Sequence, residues 1–489
     1  MKKNMKFSKL ILLTLLVAGT FVSCSKDEDD LDTNPDKGTT RDLTVENFVY
    51  RGLNEIYLYK ADVPELADNF FSNQAQKNDF LDNYPTPEEL FYEGLTAPQD
   101  RFSFIVDDYV ELENSFSGVS KTTGMSYGLS FISSGSENIL GFVRYVQPNT
   151  SAAQQGVMRG DIFTKVNGTQ LTSSNFSSLL GQPTITITLA TLQGNDLAET
   201  GVTKTLTNEV FTANPVFIKK ILDIEGAKVG YLMYNSFTAD FDKQLNDAFG
   251  EFKAANITDL ILDVRYNGGG SVRTATDLAS MITGQFPGEI FMKEVWNQKY
   301  QTYFESTAEL RERLLNKFNT KIRTGEMINS LNLSRVFVLT SLRSASASEL
   351  VINGLEPYIN VIQVGDITTG KFTASVTLYD SPNFGRNNAN TTHKYALQPL
   401  VLKSVNSAGI SDYVNGLTPD YLIKENIRDL GVLGDVNEPL LKVALDVIKG
   451  NRASIQYTVE EFKPLGESSM FNIDYQRMYI DELPLLNLN

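Results

Sequence analysis

Four hydroxyls crowd one short stretch, Ser341, Ser344, Ser346 and Ser348 in the string SLRSASASE, between an apolar run ending at Thr340 and a helical pattern from Leu350. A hydroxyl at a strand-to-helix turn faces the positive end of the helix, where free backbone N–H groups can receive an anionic intermediate. The alanines beside Ser346 leave room for a peptide backbone to approach. The same residues also allow a plainer part, because Ser346 and Glu349 match a capping box that would only start the helix. A serine attacks only when something accepts its proton. His393 is the single histidine in 489 residues, so any Ser-His-Asp arrangement must use it, and it stands in an Asn- and Thr-rich loop. The other acceptor is Lys371, 25 positions after Ser346, behind Thr368, Thr369 and Gly370. A lysine is a base only when neutral, so its pKa must fall from about 10.4 to about 7 or 8, which asks roughly 4 kcal/mol of desolvation or positive surroundings. One cysteine and one histidine cannot supply the usual zinc or iron–sulfur ligand sets, and no DxDxDG calcium loop occurs, so the reading includes no metal and no cofactor.

These residues need a frame, and the periodicity supplies one. Val229 to Tyr234, Leu260 to Val264, Val336 to Thr340 and Val361 to Val364 read as strands. Phe241, Leu245, Ala248, Phe249 and Phe252 mark one face of a helix, and Ser271 to Thr283 and Leu350 to Leu355 read as further helices. Alternating strands and helices predict an α/β core over 209–450 with its site at the loop mouths. From Tyr127 to Leu192 short alternating runs such as Ile139 to Val146 and Thr184 to Leu192 predict a separate β-rich module, 113–208. Val49, Leu53, Ile56 and Tyr57, behind Thr44 as N-cap, predict a small helical domain over 41–112. Residues 451–489 remain without an assigned role.

Taken together, SASASE, the Gly370-Lys371 pair at its spacing, and Asp263-Val-Arg-Tyr-Asn-Gly-Gly-Gly270 resemble the C-terminal processing peptidases, also called tail-specific proteases. The resemblance implies a crotonase/Clp-like α/β peptidase core, Ser346 as nucleophile and Lys371 as general base. It also implies an oxyanion hole from the backbone N–H groups of Ala347 and Gly269. Tyr127, Gly128, Leu129, Ser130 and Phe131 look like the carboxylate-binding loop of a PDZ domain, and Pro148 through Gly168 is similar to that domain's second half. The implied partners are protein or peptide substrates with free C-termini. Asp100 to Ser103 and Gly416 to Asp420 are similar to further family segments. Many members carry a glutamine four residues after the lysine to orient it. Here Ser375 stands there and becomes the candidate orienter. The reading is a serine endopeptidase working through an acyl-enzyme. A peptide-binding lipoprotein with a degenerate peptidase fold is the alternative.

The N-terminus reads as an address. Four lysines precede an apolar run from Leu10 to Val17, and Phe21-Val-Ser-Cys24 resembles a bacterial lipobox, which implies a signal peptide over 1–23 and lipidation of Cys24. Residues 24–40 form a polar tether whose acidic run, Asp27 to Asp30, resembles the surface-export signal of Bacteroidetes lipoproteins. The expected location is the outer membrane, held by that lipid. Loss of residues 1–23 removes four lysines and no acid, leaving 39 bases against 59 acids and a charge of −20, which argues against nucleic acid as a partner.

Overall fold

The computed structural model describes residues 41–193, 196–451, 462–473, 475–481 and 483. The expectations for the signal, the tether and Cys24 lie outside these residues.

Helix α1 (Thr44–Ile56) buries Phe48, Val49, Leu53 and Ile56. Thr44 is its first residue rather than its cap: Leu43 holds the cap position, and the Asp42 carboxylate, two residues before Thr44, accepts the Thr44 N–H at 3.0 Å. The β-rich module follows as β1 (Met125–Phe131), β2 (Ile139–Val146), β3 (Ile162–Val166), β4 (Thr184–Gln193) and β5 (Asp196–Thr207), antiparallel neighbours in that order. Leu129, Val143, Phe163, Val166, Ile187 and Leu206 form its own core. Residues 119–122 pair with 209–212, so the module closes slightly beyond residue 208.

The core begins with the hairpin β6 (Val216–Ile224) and β7 (Ala227–Tyr234), then α2 (Asp242–Ala255), β8 (Asp259–Asp263), β9 (Gly270–Ser271) and α3 (Val272–Thr283). It continues through β10 (Ile290–Trp296), β11 (Leu315–Lys317), β12 (Arg335–Thr340), α4 (Ala347–Leu355), β13 (Asn360–Gly365), β14 (Thr373–Ser375) and β15 (Leu400–Asn406). Last come β16 (Tyr421–Leu422), α5 (Pro439–Ile448), β17 (Pro464–Glu467) and β18 (Met478–Tyr479). The central sheet has the order β6-β7-β8-β12-β13-β16 and is parallel from β7 onward.

Alternation along β8 explains the layers. Leu260 and Leu262 face the cluster that contains Leu245 and Phe249 of α2, Leu278 of α3 and Leu350 of α4, while Ile261 faces Leu440, Leu441 and Val443 of α5. A parallel sheet covered on both faces needs this unbroken apolar run. A second sheet, β9-β18-β14-β15-β10-β11, stands beside the first and takes its second strand from the chain's last described residues.

Candidate active site

Ser346 sits between β12 and α4 as the residue at which the helix begins. Its φ of +67° lies in the left-handed region, where a non-glycine residue is strained by roughly 1–3 kcal/mol and persists only if its surroundings hold it. Several bonds do so. Ser344 Oγ donates to the Val264 carbonyl at 2.9 Å, the Ala345 N–H to Asn267 O at 3.1 Å, and Ser348 Oγ to Asn267 O at 3.1 Å, tying the serine loop to the loop after β8. That second loop is anchored in turn by Arg265, which is buried against Asp263 at 2.8 Å and Glu438. The side chain of Asn267 donates to Tyr234 O at 2.8 Å.

Helix α4 starts three residues earlier than the apolar pattern suggests, with Ser346 and Glu349 arranged as its capping box. The Glu349 carboxylate accepts the Ser346 N–H at 2.7 Å, whereas Ser346 Oγ, fully buried, has no hydrogen-bond partner among the described residues. Glu349 also accepts Gly370 N–H at 2.6 Å, Lys371 N–H at 2.9 Å and the Thr368 hydroxyl at 2.5 Å. One carboxylate therefore clamps the lysine loop onto the helix that carries the serine. Sequence reasoning saw Glu349 as a cap alone; the SxxE spacing was the signal, but its other partners lie about twenty residues downstream.

Lys371 is buried, with its Nζ 4.9 Å from the centre of the Phe102 ring and donating to the Gln476 carbonyl at 2.8 Å. Burial first, and then the positive charge of Arg477, push its pKa down to about 7, against the opposing pull of Asp100 and Glu349. The segment Asp100 to Ser103 builds this environment. Asp100 accepts the N–H groups of Phe102 and Ser103 at 2.8 and 2.9 Å, and Arg101 donates to Gly370 O at 2.8 Å. Leu417, in the Gly416 to Asp420 string, braces Thr368 from the other side, its N–H donating to the threonine hydroxyl at 2.7 Å.

Two residues take parts other than the expected ones. Ser375 does not orient Lys371: its hydroxyl is taken up by Gln398 at 2.7 Å and Met478 O at 3.2 Å, and the lysine Nζ donates to Gln476 O instead. The N–H of Gly269 is not free for an oxyanion, since it donates to Asn267 Oδ1 at 2.8 Å. What Gly269 provides is proximity. A Cβ at this position, where φ is +108°, would stand 2.6 Å from Ser346 Cβ and 3.0 Å from the Ala347 nitrogen. Ala347 is the first residue of α4, where N–H groups have no acceptor within the helix.

Tyr127 to Phe131 form strand rather than loop, being most of β1. The edge they offer pairs antiparallel with β17, with Pro464 opposite Ser130, Gly466 opposite Leu129 and Glu467 opposite Gly128. Phe131 N–H donates to Lys463 O at 2.9 Å and Tyr127 N–H to Ser468 Oγ at 3.1 Å. Beyond, a cavity of about 550 Å³ lies between module and core, lined by Tyr127, Gly268, Gly269, Arg343 and Gln476 among others. His393 belongs elsewhere: it bonds to Asp380 at 3.0 Å, accepts the Tyr395 N–H at 3.1 Å and lies against Phe48 of α1.

A strained serine at a helix start, a buried lysine clamped to it and a glycine-lined approach define a serine peptidase of α/β architecture. The family model "Peptidase family S41" matches residues 228–423, and "Peptidase S41 N-terminal domain" matches 44–104. Together they span more than half of the chain, which belongs to peptidase family S41. The carboxy-terminal-processing protease of Bartonella bacilliformis is 23% identical over 430 residues, covering 84% of this chain and 82% of that protein. The carboxyl-terminal-processing protease of Picosynechococcus is 23% identical over 251 residues, and that match covers 51% of this chain and 52%, about half, of the relative. Among solved structures, a Bacteroides fragilis protein assigned to the S41 proteases superposes with a TM-score of 0.62 at 25% identity, covering 82% of this chain and 97% of that one.

Proposed function

We propose that the protein is a cell-envelope serine endopeptidase in which Ser346 is the nucleophile, Lys371 its general base, and the β-rich module a PDZ domain that captures a substrate's free C-terminus. The observation that carries this reading is the pairing of a buried hydroxyl without a partner and a buried lysine brought to about 7, both held by Glu349. In the reaction Ser346 Oγ attacks the scissile carbonyl and passes its proton to neutral Lys371. The oxyanion meets the Ala347 N–H at the positive end of α4. The lysine then gives its proton to the leaving amine, and the remaining acyl-enzyme is hydrolysed by a water that Lys371 deprotonates in turn.

A serine-directed phosphonate tests the chemistry. Labelling should occur in the parent and vanish in Ser346→Ala. A parent that resists the probe under all conditions, with or without added peptide, would leave the degenerate peptide-binding lipoprotein in its place. The proposed anchor has its own test. Cys24→Ser should move the protein from the membrane to the soluble fraction, and continued pelleting with membranes would remove the lipoprotein assignment.

A further inference from the structure

The C-terminal residues traverse the path that the proposed function reserves for a substrate. They enter as β17 on the edge of β1, antiparallel, which is how a peptide adds a strand to a recognition sheet. They end as β18 inside the second sheet, with Met478 opposite Gly270 and Tyr479 opposite both Ser271 and Ser375. The Ile480 N–H donates to Ser375 O at 3.0 Å. Between these strands Gln476 takes the hydrogen bond of Lys371 Nζ at 2.8 Å, so the base is engaged with the tail while Ser346 Oγ is left without a partner among the described residues. The Arg477 carbonyl reaches Gly269 so closely that a Cβ there would lie 2.2 Å from it.

The junction of recognition strand and catalytic loop holds one carboxylate. Glu467 ion-pairs with Arg144 from β2 and with Arg343, three residues before Ser346. Burial alone would raise its pKa, but the charges of Arg343 and Arg144 hold it down to about 2. Arg144 is buried, and its Nε and Nη2 have no hydrogen-bond partner among the described residues. Gly128 gives it room, since a Cβ there would come within 2.7 Å of Arg144 Nη2. Two arginines, one with donors to spare, suit a terminal carboxylate with two oxygens better than the single Glu467 oxygen they share.

Resting on the PDZ reading above, we propose that residues 462–473 and 475–481 act as a displaceable internal ligand. Glu467 holds the Arg144–Arg343 site that a substrate's C-terminal carboxylate takes, and β18 fills the cleft beside Ser346 until that exchange withdraws it. The resting protein is then latent, and an extended peptide with a free carboxylate is both substrate and activator.

The test uses the full chain carrying Ser346→Ala, with hydrogen exchange followed along residues 464–480. A synthetic peptide ending in a free Leu-Ala-Ala carboxylate should deprotect this segment, and its C-terminal amide should not. Glu467→Gln in the Ser346-containing protein should raise the phosphonate labelling rate without peptide by about tenfold or more, the effect of losing one charge-assisted bond. Unchanged protection at saturating acid peptide, or parental labelling by a Glu467→Gln protein that melts as the parent does, would overturn the proposal. Deprotection by the acid peptide in a protein whose serine never labels would instead sink the peptidase reading while leaving the internal ligand in place.

Discussion

Lys371 and Glu467 are both buried charges, yet they are treated in opposite ways. Lys371 is surrounded so that its charge is lost, by burial and by Arg477, and its loop is fixed through backbone bonds to Glu349. Glu467 is surrounded so that its charge is kept, by two arginines, and the segment around it is held by the short strands β17 and β18. The frame that holds Ser346 and Lys371 draws on Val264, Arg265, Asn267, Thr368 and Leu417, none of them in the C-terminal segment. Without the tail these loop bonds would remain, while Lys371 would lose the Gln476 acceptor and the Arg477 charge that lowers its pKa.

The largest break in that contrast is Lys371→Arg, because an arginine stays protonated wherever it is placed. Peptide cleavage should fall by roughly a thousandfold, within the range of general base catalysis, while tail protection in hydrogen exchange stays near parental. His393→Ala, remote in its contact with Asp380, serves as the comparison, and its loss of activity alongside a surviving Lys371→Arg would reverse the assignment.

Next comes the pH profile of the parent. Neutral Lys371 is the competent form and burial disfavours the ammonium, so phosphonate labelling of the resting protein, with Arg477 in place, should rise with pH through about 7 and level off above it. Two units below that midpoint the rate should be about a hundredfold lower. A profile flat from acid to neutral pH would contradict a lysine base.

Glu349→Gln sharpens the role of the clamp. Its carboxylate accepts four hydrogen bonds, and an amide can accept at only one of its two heavy atoms, so stability should drop by about 2–3 kcal/mol in denaturant melts. The cleavage rate should fall with KM little changed, and Glu349→Gln melting like the parent would dismiss the clamp. The smallest effect is expected at Ser375→Ala, which removes bonds to Gln398 and Met478 O worth about 1 kcal/mol. The pH midpoint should stay parental; a displaced midpoint would restore Ser375 as the orienter of the lysine.

The central strands were legible because burial on both faces writes itself as continuous apolar runs such as Leu260 to Val264. Ser346 and Lys371 were legible from spacing and residue type. The carboxyl-terminal strands were not, since β18 is two residues long and its partners Gly270 and Ser375 lie at least a hundred residues upstream, beyond any local period. Ser375 was misjudged because position relative to a lysine does not reveal which way a strand side chain points. Gly269 was misjudged for a related reason: its N–H is taken by Asn267, a neighbour whose side chain could equally have faced elsewhere.

If β18 is displaced as proposed, its place in the sheet limits what can be cut. It lies between β9 and β14, parallel to both, so its departure opens a gap one strand wide. Neighbouring strands are about 4.8 Å apart, which makes that gap about 9.6 Å across and lined on both sides by amide groups that have lost their partner. A helix with its side chains, about 10–12 Å thick, does not enter. Only a chain already unravelled over several residues would thread there, so folded domains would act as stops and local unfolding of the target would govern where proteolysis begins.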